Sequence, residues 1–148
     1  MAHVTVSRHI PVSHDRVWDA LADLKSHTDW MRDARSIDFT TDRTTGKGTR
    51  LEVLTVIGPL RTTDVMEVVG WEEGRSIDVR HEGLVTGEGT LRVDPEDDGS
   101  VVVWEERLTF PWWLGGPVTS WLARPVLAAA WRGNLRRLEE SLTDRLRR

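Results

Sequence analysis

Between about residue 36 and residue 110, turn signals cut the chain at short intervals. They are Gly46-Lys47-Gly48, Gly58-Pro59, Glu73-Gly74, Gly83 and Asp97-Asp98-Gly99. The segments between them read as six strands, at about 36–41, 49–57, 60–71, 75–82, 86–94 and 100–110. Parallel neighbours need a crossover of a dozen or more residues, so connections this short predict antiparallel hairpins and a meander. "RSIDVRHE" alternates, with Ile77, Val79 and His81 on one face and Ser76, Asp78, Arg80 and Glu82 on the other. That pattern belongs to a sheet wet on one side, whose apolar face needs a cover.

The flanking segments supply the cover. "HVTVSRHI" (3–10) reads as a further strand, closed by Pro11. Ser13 is placed to cap a helix with Asp15 in its first turn, and Val12 and Val17 stand at the positions of a hydrophobic staple. Val17, Leu21 and Leu24 recur at helical spacing, with Trp18 beside them. A second short helix is expected from Ser26, with Asp29 three residues on and Trp30 and Met31 as its apolar contacts. The last helix is expected over 117–146, opened by Pro117. Its stripe is Leu127, Trp131, Leu135, Leu138 and Leu142, and Pro125 predicts a kink or break. The expected fold class is α+β: a curved antiparallel sheet of about seven strands around a long C-terminal helix, with two short helices after the first strand.

At 148 residues one domain spanning 1–148 is expected. A net charge of -4 gives no electrostatic reason to seek nucleic acid. Arginines 132, 136, 137, 145, 147 and 148 cluster, but Glu139, Glu140 and Asp144 interrupt them, as on a solvated helix face. The chain has no cysteine, which excludes disulfides and thiolate chemistry, and no apolar run of signal-peptide kind near its start. Both fit a cytoplasmic protein. Phe110 to Trp131 holds four of the eight tryptophans, three prolines and the single charge of Arg124. A central arginine and the Gly115-Gly116-Pro117 break argue against a membrane span. Peripheral membrane contact through Trp112 and Trp113 stays open, because tryptophan suits an interface with one wet side.

Four stretches carry a family resemblance: "VSRHIPVSHDRVWDALADLKSHTDWM", "VMEVVGWEEGRSIDVRHEG", "GTLRVDPEDDGSVVVWEE" and the final helix. With them the whole chain resembles the START/Bet v 1-like (SRPBCC) superfamily, in particular its bacterial polyketide cyclase/dehydrase and lipid-transport group. The resemblance implies a helix-grip fold with a cavity between sheet and C-terminal helix. It also implies an apolar ligand such as a lipid, sterol, quinone or polyketide, and in some members cyclisation or dehydration. It transfers no catalytic motif.

The residues themselves show no dinucleotide loop, Walker lysine, HExxH or nucleophile elbow, and no cofactor is expected. Histidines 3, 9, 14, 27 and 81 lack metal-ligand spacing, so no metal site is expected. Pairing across the turn at 72–75 would set Val69 opposite Ile77, Glu67 opposite Val79 and Val65 opposite His81. Across the next two connections Val79 faces Gly89, His81 faces Gly87, Val93 faces Val102, Leu91 faces Trp104 and Gly89 faces Glu106. On this register Glu67, His81 and Glu106 look inward, the candidate acid–base set if the protein is an enzyme. A one-residue slip would turn Glu67 outward, since Met66 and Val68 are also apolar. The expected ligand wall is Trp71, Val79, His81, Gly89, Leu91, Trp104, Glu106, Leu127 and Trp131. Trp18 and Trp30 are expected to seal the short helices onto the sheet. Trp112, Trp113 and Trp121, beside two glycines, fit either a gate at the cavity mouth or a packed strand-to-helix corner. Three functions are compatible: a carrier or sensor of a small hydrophobic molecule, a polyketide aromatase/cyclase or dehydratase, and a module docking a lipid or quinone at a membrane or partner. Oligomeric state is not legible.

Overall fold

A computed structural model describes residues 1–146; Arg147 and Arg148 of the arginine cluster lie outside them. The order is β1 (Ala2–Ile10), α1 (His14–Ala22), a 3-10 segment (Leu24–Asp29), β2 (Ala34–Phe39), β3 (Arg50–Ile57), β4 (Leu60–Glu72), β5 (Ser76–Glu82), β6 (Thr86–Glu96), β7 (Gly99–Thr109), a 3-10 turn (Trp112–Leu114) and α2 (Gly116–Leu146). The seven strands form one antiparallel sheet in the order β1-β7-β6-β5-β4-β3-β2. The meander expected from the turn signals is therefore present, and β1 closes it by pairing with β7. The sheet curves around α2, and the short helices after β1 close one side of the interior.

Local details depart from expectation. Ser13 stands at the N-cap of α1 without a side-chain capping bond. The second short helix begins at Leu24 rather than near Ser26, whose hydroxyl instead donates back to the Asp23 carbonyl at 2.7 Å. Gly116 rather than Pro117 opens α2, and the helix runs unbroken through Pro125. Proline there removes one bond, to the Trp121 carbonyl. That turn is exposed, so solvent can take the missing bond.

The stripe of α2 is the spine of the core: Leu127, Trp131, Leu135, Leu138 and Leu142 are all buried. Trp131 stacks on Trp104 of β7 at 4.9 Å between centroids and 19° between planes, and Trp30 meets Trp104 edge-on at 6.1 Å. Trp18 meets Trp71 edge-on at 5.5 Å, closing α1 onto the sheet. Buried Asn134 fastens α2 to the loop before β2. Its amide donates to Asp33 at 2.6 Å and its oxygen accepts from the Arg32 backbone at 3.2 Å. Arg137, expected on a solvated face, donates to the Trp30 carbonyl at 3.2 Å and is only partly exposed.

Leu135 is fully buried at the centre of this stripe. Leu135→Ala is expected to lower unfolding stability by about 2–5 kcal/mol, transfer and cavity terms together. Exposed Arg136→Ala should stay within about 0.5 kcal/mol. Urea denaturation with an unchanged m-value checks both.

Candidate functional site

Whether a charged strand residue is buried here depends on its parity. In β4 that parity changes midway. Trp71 pairs with Ile77 and Gly70 with Asp78, but Val68 then pairs with Val79, leaving Val69 unmatched. A bulge adds one residue to one strand and moves every side chain beyond it to the other face. Gly70 suits the crowding: a Cβ there would lie 2.5 Å from Asp78 Oδ2.

The expected register is corrected twice: the turn is centred one residue later, so that Trp71 rather than Val69 is opposite Ile77, and the bulge then shifts the rest of β4 by one residue. Glu67 is opposite Arg80, not Val79, and Met66 rather than Val65 is opposite His81. Glu67 is thus on the outer face, where it accepts from Arg50 at 2.7 Å and Arg80 at 3.1 Å. Glu67 is removed from the inward set. The same shift brings in Asp64, a residue that the alternation alone passed over. The other two hairpins pair as expected, Gly89 with Glu106 and Leu91 with Trp104.

Between sheet and α2 lies a cavity of about 180 Å³. Val79, His81, Gly89, Leu91, Trp104, Glu106, Leu127 and Trp131 line it, as do Asp64 and His27. Trp71 does not. Its strand position carries it to the end covered by α1, where it packs on Trp18 and donates to Glu73 at 2.8 Å. Trp112, Trp113 and Trp121 do not line the cavity either, and they are 85%, 58% and 69% exposed. At these exposures they do not pack a corner; Phe110 is the residue of that stretch, before α2, that reaches the lining.

The polar part of the wall is a bonded row. His81 donates from Nδ1 to Asp64 Oδ2 at 2.8 Å and from Nε2 to Glu106 Oε2 at 2.7 Å. Trp104 Nε1 donates to the other Glu106 oxygen at 3.1 Å. Gly89 makes the row possible, because a Cβ there would lie 2.4 Å from Glu106 Oε1. Asp64 Oδ1 is buried without a hydrogen-bond partner among the described residues. Burial is the largest single influence on His81 and disfavours its charge, but the bonds to Asp64 and Glu106 and their negative charges together outweigh it and push its pKa up to about 10. His27 has the opposite fate. It donates to the Leu21 carbonyl at 2.8 Å, and burial pulls its pKa down to about 4. No group of three or more His, Asp or Glu converges as a metal-ligand set among the described residues.

The two histidines set opposite limbs of a pH profile. Folded His81 keeps its proton up to about 10 while its ordinary value is 6.5, so its contribution is complete below 6.5 and is lost as pH rises toward 10. Folded His27 stays neutral down to about 4, so its contribution is present above 6.5 and lost as pH falls toward 4. These two groups therefore favour a stability maximum near pH 6.5, falling by a few kcal/mol on the alkaline side, since one pKa unit is about 1.4 kcal/mol. His81→Gln should flatten the alkaline limb and His27→Gln the acid limb in urea melts across this range.

The chain matches the family described as polyketide cyclase/dehydrase and lipid transport over residues 1–147. No curated protein matches it with significance. Among solved structures, a protein from Thermus thermophilus is similar at a TM-score of 0.78 and 21% identity, covering 96% of this chain and 97% of that one. The di-domain aromatase/cyclase StfQ of the steffimycin biosynthetic pathway is similar at 0.78 and 16% identity, covering 98% of this chain and 51% of that one. The Zhui aromatase/cyclase from Streptomyces is similar at 0.72 and 16% identity, covering 97% and 94%. With the family matched over nearly its whole length and the helix-grip fold in place, the chain belongs to the polyketide cyclase/dehydrase and lipid transport family of the Bet v 1-like fold.

Proposed function

We propose that this protein carries or senses a small, mostly apolar ligand bearing one hydrogen-bond donor, such as a phenol or alcohol. The observation that supports this is the Asp64–His81–Glu106 row in the wall of an otherwise apolar cavity. Both imidazole N–H groups are already engaged by carboxylates. With His81 charged, two carboxylates around one imidazolium leave the row one negative charge. The acceptor without a partner is Asp64 Oδ1. A ligand hydroxyl can relieve it, whereas a ligand carboxylate meets like charge in a poorly solvated site. The size of the cavity, about 180 Å³, favours a ligand of one or two rings, since roughly 150 Å³ suffices for benzene. Larger ligands require the lining to part.

The competing reading is a cyclase or dehydratase; StfQ and Zhui, two structural neighbours, are aromatase/cyclases. An acid–base pair facing an apolar cavity supports it. Against it stands the pKa of about 10, which leaves His81 protonated at neutral pH and unable to act as a base without first giving up a carboxylate bond. Carriage is the reading we adopt, because it asks no proton transfer of a row in which both ring nitrogens of His81 are engaged.

Calorimetric titration with 2-naphthol and 2-naphthoate tests it. The naphthol should bind at least about tenfold more tightly, equivalent to 1.4 kcal/mol, and Asp64→Asn should narrow the gap. Equal binding, or preference for the naphthoate, overturns the proposal. For the enzyme reading, His81→Gln and Glu106→Gln would abolish turnover of a polyketide-like substrate while binding persists.

A further inference from the structure

The first three turns of α2 differ from the rest of the helix. From Gly116 to Val126 only Gly116 and Ser120 are buried, while the core stripe starts at Leu127. The outward face of these turns is apolar: Val118, Trp121, Leu122 and Val126 are 65%, 69%, 57% and 56% exposed. Trp112 and Trp113 extend it across the preceding 3-10 turn. Among the described residues, the other exposed large apolar side chains are Met1 and Leu60. They belong to the same end of the molecule, because β1 begins beside the end of β7 and Leu60 lines the same cavity as Phe110. The exposed large apolar side chains of the described residues are therefore collected at one end.

Charge is sorted in the same way. Residues 107–138 contain no aspartate or glutamate but five arginines, in a chain whose net charge is -4. At that end residues 53–63, 83–87 and 1–4 also lack carboxylates. Arg124 and Arg132 are exposed on α2, and Arg61 is exposed at the start of β4. None of the three enters an ion pair among the described residues. Tryptophan at a wet–apolar boundary, flanked by unpaired arginine, matches a bilayer surface carrying anionic headgroups. No described helix is long and apolar enough to cross a membrane, so the contact lies in the plane of the interface.

We propose that this end docks on an anionic lipid bilayer, with Trp112, Trp113 and Trp121 entering the headgroup region and Arg124 and Arg132 meeting phosphates. The cavity reaches the same end through Leu60, Leu84, Val85 and Phe110. Docking would therefore set it against the apolar phase from which a hydrophobic ligand comes. The docking surface is independent of the ligand proposed above, since none of its tryptophans lines the cavity.

Co-sedimentation of the full chain with vesicles tests this, using phosphatidylcholine alone and phosphatidylcholine with phosphatidylglycerol. The wild type should pellet with the anionic vesicles, more weakly with the neutral ones, and less at high salt. The variant Trp112→Ser/Trp113→Ser/Trp121→Ser should lose at least about tenfold in partitioning. Arg124→Gln and Arg132→Gln should cost about fivefold each. The tryptophan variant should keep its circular dichroism and its naphthol affinity, which separates loss of docking from misfolding or a damaged cavity. Three outcomes overturn the proposal: no pelleting of the wild type, equal pelleting of the tryptophan variant, or a wild-type dimer in sedimentation velocity that the tryptophan variant dissociates, showing a second copy as the occupant.

Discussion

Val69 has no partner across β4 and β5, and that unmatched residue decides which charges the sheet buries. Without it Glu67 would point inward beside His81, and Asp64 would point to solvent. With it Glu67 joins Arg50, Arg80 and Glu82 in an outer network of ion pairs, and Asp64 reaches the cavity wall. The two arrangements put different geometry around the same histidine. Outside, each ion pair is worth little, because water competes for both partners. Inside, every lone pair must be accounted for.

Inside, two carboxylates grip the two nitrogens of one ring, and the Trp104 indole takes a further carboxylate oxygen. Removing either carboxylate would leave a charge short of its partner, a change that costs about 3–5 kcal/mol for a buried pair. The same completeness limits the chemistry. A ring that donates at both nitrogens has no free site at which to accept a proton. The row therefore behaves as a rigid polar patch, and the remaining capacity lies in the Asp64 oxygen that has no partner.

Much of this was readable from residue order, for identifiable reasons. The hairpins β5–β6 and β6–β7 have no shift in register, so counting outward from their turns put His81, Gly89, Leu91, Trp104 and Glu106 on the inner face. The hairpin β4–β5 has one: counting from its turn missed the partner by two residues, which keeps the face, and beyond the bulge it missed the face as well. The signal was present in Gly70, a glycine inside an apolar strand run, which often marks a bulge. Alternation also fixes a face but not a height along the strand. Trp71 accordingly has the inner face and the wrong end, under α1 instead of at the cavity. Pro125 does not end the helix: its turn is exposed, so water can take the carbonyl that the proline leaves without a donor. Phe110 to Trp131 was the hardest stretch to place, because large apolar side chains suggest burial in any composition-based reading.

That stretch makes α2 two helices in physical terms. At 1.5 Å per residue its 31 residues extend about 46 Å. From Leu127 onward the helix is held by the core, so its formation is coupled to folding of the whole sheet. Before Leu127 it has almost no buried contact, contains Pro125 and begins at two glycines with positive φ, Gly115 at 97° and Gly116 at 45°. A segment of that kind has little tertiary packing to stabilise it, and short isolated helices are marginal in water. Its local opening free energy should lie well below that of the core-bound half, so it can change its angle to the sheet without disturbing the stripe. The hinge adjoins Phe110 of the cavity wall. Any contact that fixes the exposed half therefore also constrains one wall of the cavity, and through it the ease with which a ligand enters.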